Sequence, residues 1–532
     1  MSHPPLPSPL RFGRTFFETL VNAWRLDRRA GLHRRLFEAC LDRADDALGT
    51  DDNATAQWLH LAATFADAFP CGELTSERLE AIAISLARRL PPAVFNAGTR
   101  TRGRRWLHVM TIGYPYGGHT ALVQRLIEHD DGGDTHHLVM TCMSDMNLPA
   151  LATAVAMRGG QITLLGEAGS LIEKAGRLRA LAAASADVVV VHSHMWDVVP
   201  SLAFGVAGGP PVILLNHASH TFWVGASIAD LVLNLRQAAQ DLAKRHRGVD
   251  DHRLLRIPLP APLPAEQAVV ERHRVRVELG IPQDAVVFLS IGSAHKYTPV
   301  GELDFPTLTE RLLRNLPTAY LLMVGPSPND IRWLRAIAEA PQRLLALGTQ
   351  PQPMARFHAA ADIYLEGFPF DSHTALLEAG LAGLPAVRIP ACAVMPFRGN
   401  DYPLSALRQP ADAEEYLSQC IALAESPEQR AETGSRFRAA VMSLHRQADW
   451  RQHWSEFTRQ LPTRHRIHRP KAVPLGHAER RFWVRFHELT NPFDPYTFLQ
   501  CHANALGIPT VRIPTPRGFL SGIHRLLRAD DR

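Results

Sequence analysis

The sequence has little of what would suit it to an oxidising compartment. It holds six cysteines, Cys40, Cys71, Cys142, Cys392, Cys420 and Cys501, and no two of them form a CxxC pair. Scattered single thiols argue against a disulfide framework and fit a reducing cytoplasm. No apolar run approaches the roughly 20 residues needed to span a bilayer. The opening MSHPPLPSPLRFGRTFF lacks the apolar stretch and small-residue cleavage site of a secretory leader. The expectation is a cytoplasmic chain with no integral membrane segment. The net charge of +5 is small for 532 residues, and no basic run is interleaved with aromatics, so nucleic acid is not an expected partner. The GxGxxG fingerprint and the Walker A motif are both missing, which removes the usual signals for nicotinamide and ATP. None of the 26 histidines shows HExxH or related spacing, so no metal site is expected.

The hydrophobic pattern divides the chain into four parts. Residues 1–100 read as a helical domain, with apolar residues at helical spacing in 14–27, 32–47, 54–69 and 76–90. It serves either as a cap on the next domain or as a binding element. Residues 101–262 alternate strand and helix, with strands expected at 107–113, 137–141, 161–165, 187–191, 212–215, 231–233 and 254–257. Residues 263–460 repeat the pattern after the Pro-rich stretch 258–264, with strands at 286–291, 320–324, 343–347 and 362–365. Continuous apolar strands separated by helices indicate parallel sheets covered on both faces. The fold class is therefore α/β, two Rossmann-like domains with an all-helical N-terminal domain. Ligands would bind between them, at the strand ends. The helix at 449–460 is a candidate to cross back to the first domain. Residues 461–480 read as a linker. The end of the C-terminal extension, 481–532, reads as an interaction segment or a packing element.

The chain is organised around 361–390, ADIYLEGFPFDSHTALLEAGLAGLP and onward, which reads as strand, loop, helix, turn, strand. The helix start offers unpaired N–H groups and partial positive charge, a fit for a diphosphate. His373 and Thr374 stand there as added donors. Glu378 lies one turn on, on the same face as Thr374, where it can accept from ribose hydroxyls. The same residues also suit plain structural roles. Asp371 or Ser372 can cap the helix, and Glu378 can favour the dipole.

Other candidates follow predicted strands. Gly117, Gly118 and His119 follow the first strand, where glycine permits close approach and His119 is either a catalytic group or an ordinary helix-start residue. His192, His194 and Asp197 follow another strand, and Asn216, His217 and His220 a third. Ser293, His295 and Lys296 follow VVFLSI. A lysine there either neutralises charge on a leaving diphosphate or is a surface residue of a polar loop. The loops GPSP at 325–328 and GTQPQPM at 348–354 also follow strands, and the second can close on a base or ribose.

FPFDSHTALLEAGLAGLP resembles the nucleotide-binding segment of the O-GlcNAc transferase family, which includes bacterial N-glycosyltransferases acting on adhesins. The His-Thr pair and the acidic residue of that family would be His373, Thr374 and Glu378, although the family usually has Asp at the last place and a second Thr where this chain has Ala375. SIGSAHKYTP resembles the loop carrying the family's diphosphate-contacting lysine, here Lys296. GGHT resembles the loop carrying its active-site histidine, here His119. The N-terminal helices resemble those of the bacterial members, and the tetratricopeptide repeat of the eukaryotic ones is not found. The resemblance is strongest over 286–390. It implies a GT-B fold, a UDP-sugar donor with no cofactor or metal, inversion at the anomeric carbon, and hexose or N-acetylhexosamine transfer to a protein. YLEGFP and LLEAGLAGLP are also close in wording to retaining GT-B transferases, whose paired glutamates are closer together than Glu366 and Glu378. A retaining enzyme acting on a glycan, lipid or small molecule is thus an alternative. So is a non-catalytic protein that binds a nucleotide sugar or a partner.

Overall fold

A computed structural model describes residues 9–95, 103–115, 118–130, 133–166, 168–256, 268–300, 303–350, 354–391, 403–445, 447–491 and 493–508. Gly117, Cys392, the Pro-rich 258–264 and the expected basic helix at the end of the chain lie outside the described residues.

Two parallel sheets carry the chain. The first contains β1 (Arg105–Met110), β2 (Thr135–Met140), β3 (Ile162–Leu164), β4 (Val188–Val191), β5 (Val212–Asn216), β6 (Leu231–Asn234) and β7 (Leu254–Arg256), in the order β3-β2-β1-β4-β5-β6-β7. Every pairing in it is parallel. The second contains β8 (Val287–Ile291), β9 (Tyr320–Val324), β10 (Leu344–Ala346), β11 (Ile363–Leu365) and β12 (Ala386–Val387), in the order β10-β9-β8-β11-β12, again all parallel. β4, β5 and β6 are buried along their whole length, as strands covered on both faces must be. In each sheet the strand order reverses beside the first strand, between β1 and β4 and between β8 and β11. Such a reversal opens a crevice at the carboxyl ends of those strands.

The helical N-terminal part differs from the expectation in one respect. The expected helices at 14–27 and 32–47 are a single helix, Pro9–Ala47. Gly31 interrupts the pattern but costs only about 1 kcal/mol in a helix. The helices Asp52–Ala68 and Glu77–Ala87 follow. Their apolar faces share one core with the first sheet, in which Leu59, Phe65 and Leu79 meet Val109, Val189 and Leu202. Two buried charged groups fasten them there. Glu80 accepts from the backbone N–H groups of Gly225, Ala226 and Ser227 at 2.6, 3.1 and 3.1 Å. The Arg179 guanidinium donates to the carbonyls of Ala87, Leu90, Leu202 and Ala203.

The helix Gln447–Arg459 does cross back to the first sheet, and Trp454 lies 5.2 Å from Trp106, centroid to centroid. The stretch 461–476, expected as a linker, is a strap held to the first lobe. His465 bonds to Asp230 and to the Phe204 carbonyl, and Leu475 N–H donates to Gly72. The helices His477–Thr490 and Pro495–Ala505 then pack on the N-terminal helices, where Arg481 pairs with Asp27 and Phe498 stands edge-on to Phe69. The described part of the extension is a packing element. No helix among the described residues is long and apolar enough to cross a membrane.

Candidate active site

The two strand reversals face each other across a cleft of about 420 Å³. Gly118 and Arg125 line it from the helix after β1, and His217, His220 and Arg236 from the loops after β5 and β6. Opposite stand Ser293 and Lys296 after β8, Gly325 after β9, and Asp371, Ser372, His373, Thr374 and Glu378 after β11. Gly325 has φ +121°, and a Cβ on it would lie 1.9 Å from the Gly292 carbonyl oxygen, so only glycine lets these two loops meet.

The helix His373–Leu381 begins after Ser372 with no side-chain cap. The capping role open to Asp371 and Ser372 is therefore not what they do here. Ser372 Oγ instead accepts from Lys296 Nζ at 3.2 Å, and Lys296 also donates to the Asp371 carbonyl oxygen at 3.0 Å. Among the described residues no side chain caps the first-turn N–H groups, which leaves an anion site at the cleft wall. Lys296 sits on a single 3-10 turn, Ala294–Tyr297, steadied by the Tyr297 hydroxyl 3.0 Å from Ser290 Oγ. Burial lowers the Lys296 ammonium below its ordinary pKa. Ser293 precedes that turn, exposed on the cleft wall.

His373 is held neutral. Burial, and then the nearby Arg236 charge, bring its pKa down to about 3. Its Nδ1 is shielded and has no hydrogen-bond partner among the described residues. Thr374 faces the first lobe, since a Cβ on Gly118 would lie 3.7 Å from Thr374 Oγ1. Glu378 is already engaged, its Oε1 accepting from Arg125 at 2.7 Å, with both side chains 12% exposed. Arg125 shares a helix face with Gly118 and Ala121, all three lining the cleft.

Asp371 forms an ion pair with Arg236, the residue just before the helix Gln237–Arg247. Burial works against the Asp371 carboxylate, but the Arg236 charge, with that of Lys296, outweighs it and holds the pKa below the ordinary carboxylate range. Sequence reasoning missed Arg125, Arg236 and the charge role of Asp371. The available signal for Arg236 was its place two residues beyond an apolar strand.

The first-lobe histidines divide. His119 is outside the cleft wall. Its Nε2 lies 2.6 Å from the His192 carbonyl, so Nε2 carries the proton and Nδ1 the lone pair. Its ring lies 4.1 Å from that of His217, which does line the cleft. Burial, with His194 nearby, lowers its pKa to about 4. His192 belongs to a buried file through the sheet, Asp130–His136–His108–His192, with contacts of 2.7, 2.9 and 2.9 Å. Asp197 accepts from the Thr111 and Thr141 hydroxyls at 2.7 and 2.6 Å, and Asn216 donates to Asn234 at 2.9 Å. These are structural bonds. His194 stacks on Trp196 at 5.4 Å and His220 on Trp483 at 5.7 Å. His295 is exposed on the same turn as Lys296. Among the described residues no group of three or more His, Cys, Asp or Glu could hold a metal ion.

No protein-family model and no curated protein matches the sequence. Solved structures do match in shape. The crystal structure of Anabaena Alr3699/HepE in complex with UDP and glucose aligns at TM-score 0.50 and 14% identity, covering 67% of this chain and 100% of that one. A mutant of the Thermobaculum terrenum O-GlcNAc transferase aligns at 0.48 and 16%, covering 88% of each chain. Sucrose-phosphate synthase from Thermosynechococcus elongatus aligns at 0.48 and 16%, covering 67% and 99%. At such identities the likeness concerns the fold, and the fold is GT-B.

Proposed function

We propose that the chain is a glycosyltransferase that takes a UDP-sugar donor and passes its hexose or N-acetylhexosamine to a protein side chain, with inversion and without a metal. One observation carries this reading. Lys296, His373 and Thr374 converge on the uncapped start of one helix, inside a cleft between two parallel-sheet lobes. In the proposed complex the diphosphate lies on that helix start. The acceptor attacks the anomeric carbon from the face opposite UDP and gives up its proton to solvent, the bond from that carbon to the phosphate oxygen breaks, and UDP leaves with the electron pair. Lys296 and the first-turn N–H groups stabilise the charge that develops on the leaving oxygen, an effect worth on the order of 3 kcal/mol per donor. They supply positive charge that a metal supplies in other transferases. Glu378 turns from Arg125 to the ribose hydroxyls.

Two further observations support details of the reading. Glu366, the first of the two glutamates that favour a retaining enzyme, is 1% exposed and accepts from Ile389 N–H at 2.7 Å. It is not among the residues that line the cleft, which supports inversion. The shielded Nδ1 of His119 and its place behind the cleft wall support a positioning role, keeping His217 against the acceptor side.

The test is UDP release across a panel of UDP-sugars, with mass spectrometry of co-expressed acceptors to separate protein from glycan. Lys296→Ala and His373→Ala are expected to lower turnover by about 100-fold or more with the fold intact by circular dichroism. Full activity in either variant contradicts the assignment, and a wild type that releases no UDP contradicts the function.

A further inference from the structure

We propose that Arg236 is a diphosphate ligand contributed by the first lobe, and that the Asp371 carboxylate is its built-in placeholder, holding the guanidinium until a nucleoside diphosphate displaces it. The inference rests on the donor reading above and deepens it.

Arg236 and Asp371 belong to opposite lobes, one two residues after β6 and the other in the loop after β11. They meet as an ion pair inside the cleft, the side chains 14% and 17% exposed. Asp371 lies where an anionic ligand would. Lys296 Nζ bonds to its carbonyl oxygen, His373 follows two residues on, and Lys296, His373 and Arg236 all line the same cavity. A carboxylate and a phosphate offer a guanidinium the same paired acceptor oxygens, so one can stand in for the other. His373 Nδ1, shielded and without a hydrogen-bond partner among the described residues, is a further polar atom at this place.

The charges agree. Among the described residues that line the cleft, Arg125, Arg236 and Lys296 are matched by two carboxylates, Asp371 and Glu378. In the free protein both carboxylates are spent on arginines of the other lobe, Asp371 on Arg236 and Glu378 on Arg125. The two pairs latch the lobes together. A diphosphate brings two or more negative charges to this cluster, and each charge competes with Asp371 for the same cation. The carboxylate that steadies the empty cleft must therefore oppose the ligand. The sign is opposite to that of a simple structural brace, since a brace can only lose binding when it is removed.

Calorimetry decides it, with UDP and separately inorganic pyrophosphate as titrants against wild type, Asp371→Asn, Arg236→Ala and the double variant. Asp371→Asn is expected to bind both titrants at least about fivefold more tightly while melting at a lower temperature, because Arg236 is left unpaired. Arg236→Ala is expected to bind both about tenfold or more weakly. In the double variant the gain from removing the carboxylate should shrink, since the cation that the two anions compete for is gone. If Asp371→Asn binds no more tightly than wild type, or Arg236→Ala binds equally well, the inference is overturned and the donor reading stands. If wild type binds neither titrant, the donor reading fails and takes the inference with it. Should Asp371→Asn fail to fold, Arg236→Gln decides alone, and unchanged pyrophosphate affinity overturns the proposal.

Discussion

At the residue scale, what the sequence revealed depended on how far a residue's partner lies along the chain. Lys296, His373, Thr374 and Glu378 were legible because strand ends and helix starts are local features, and all four line the cleft. Arg125 and Arg236 were not, because they meet Glu378 and Asp371 across 253 and 135 residues of sequence. The histidine-rich edge was visible, but its chemistry is mostly burial. Burial holds His33, His60, His119, His220, His373 and His487 at pKa values of about 4, 4, 4, 3, 3 and 4, against an ordinary 6.5. Below about pH 6.5 the unfolded chain therefore binds protons that the folded chain refuses, and stability falls as pH falls toward 4. Burial acts the other way on Asp67 and Glu366, raising both to about 7, so each favours the folded state as pH drops from 7. The imidazoles outnumber these carboxyls. The net expectation is a loss of at least about 1.4 kcal/mol per pH unit between pH 6.5 and 4. Urea unfolding at about pH 7 and about pH 5 measures it, and equal or greater stability at the lower pH contradicts it.

At the scale of elements, every strand was legible, because strands of a doubly covered parallel sheet read as unbroken apolar runs. The continuity of the first helix through Gly31 was not, since a lone glycine weakens a helix without ending it. Nor was the strap at 461–476. It is held by side-chain and backbone bonds to distant loops, and its Arg, His and Pro composition looks like a linker's. The site helix is positioned from behind by the helix Pro427–His445. A Cβ on Gly434 would lie 2.3 Å from the Gly383 carbonyl oxygen and 3.2 Å from Pro385, in the turn that ends the site helix. Alanine in a helix ordinarily gains about 1 kcal/mol over glycine. Here the obstacle is backbone, which cannot swing aside, and overpacking of this kind costs about 1–3 kcal/mol. Gly434→Ala is expected to lower stability in equilibrium denaturation, and a more stable variant would mean that the two helices do not approach so closely.

At the scale of the molecule, the two Rossmann-like sheets were readable separately, and their mutual orientation was not. The sequence offered one set of loops after β1, β4 and β5 and another after β8, β9 and β11. Only the fold brings the two strand reversals face to face, so that Gly118 and Thr374 are near neighbours. The N-terminal helices and the C-terminal strap both fasten onto the first lobe, through Glu80, Arg179 and His465. That leaves the cleft bridged on its walls by the two arginine–carboxylate pairs, contacts that a ligand can replace with its own. The most direct measurement is a crystal structure of the protein with UDP. The account expects the diphosphate at the start of the helix His373–Leu381, within hydrogen-bonding reach of Lys296 and Thr374, with Glu378 on the ribose. A nucleotide bound elsewhere, or a cleft that stays closed by its own ion pairs at saturating UDP, would contradict it.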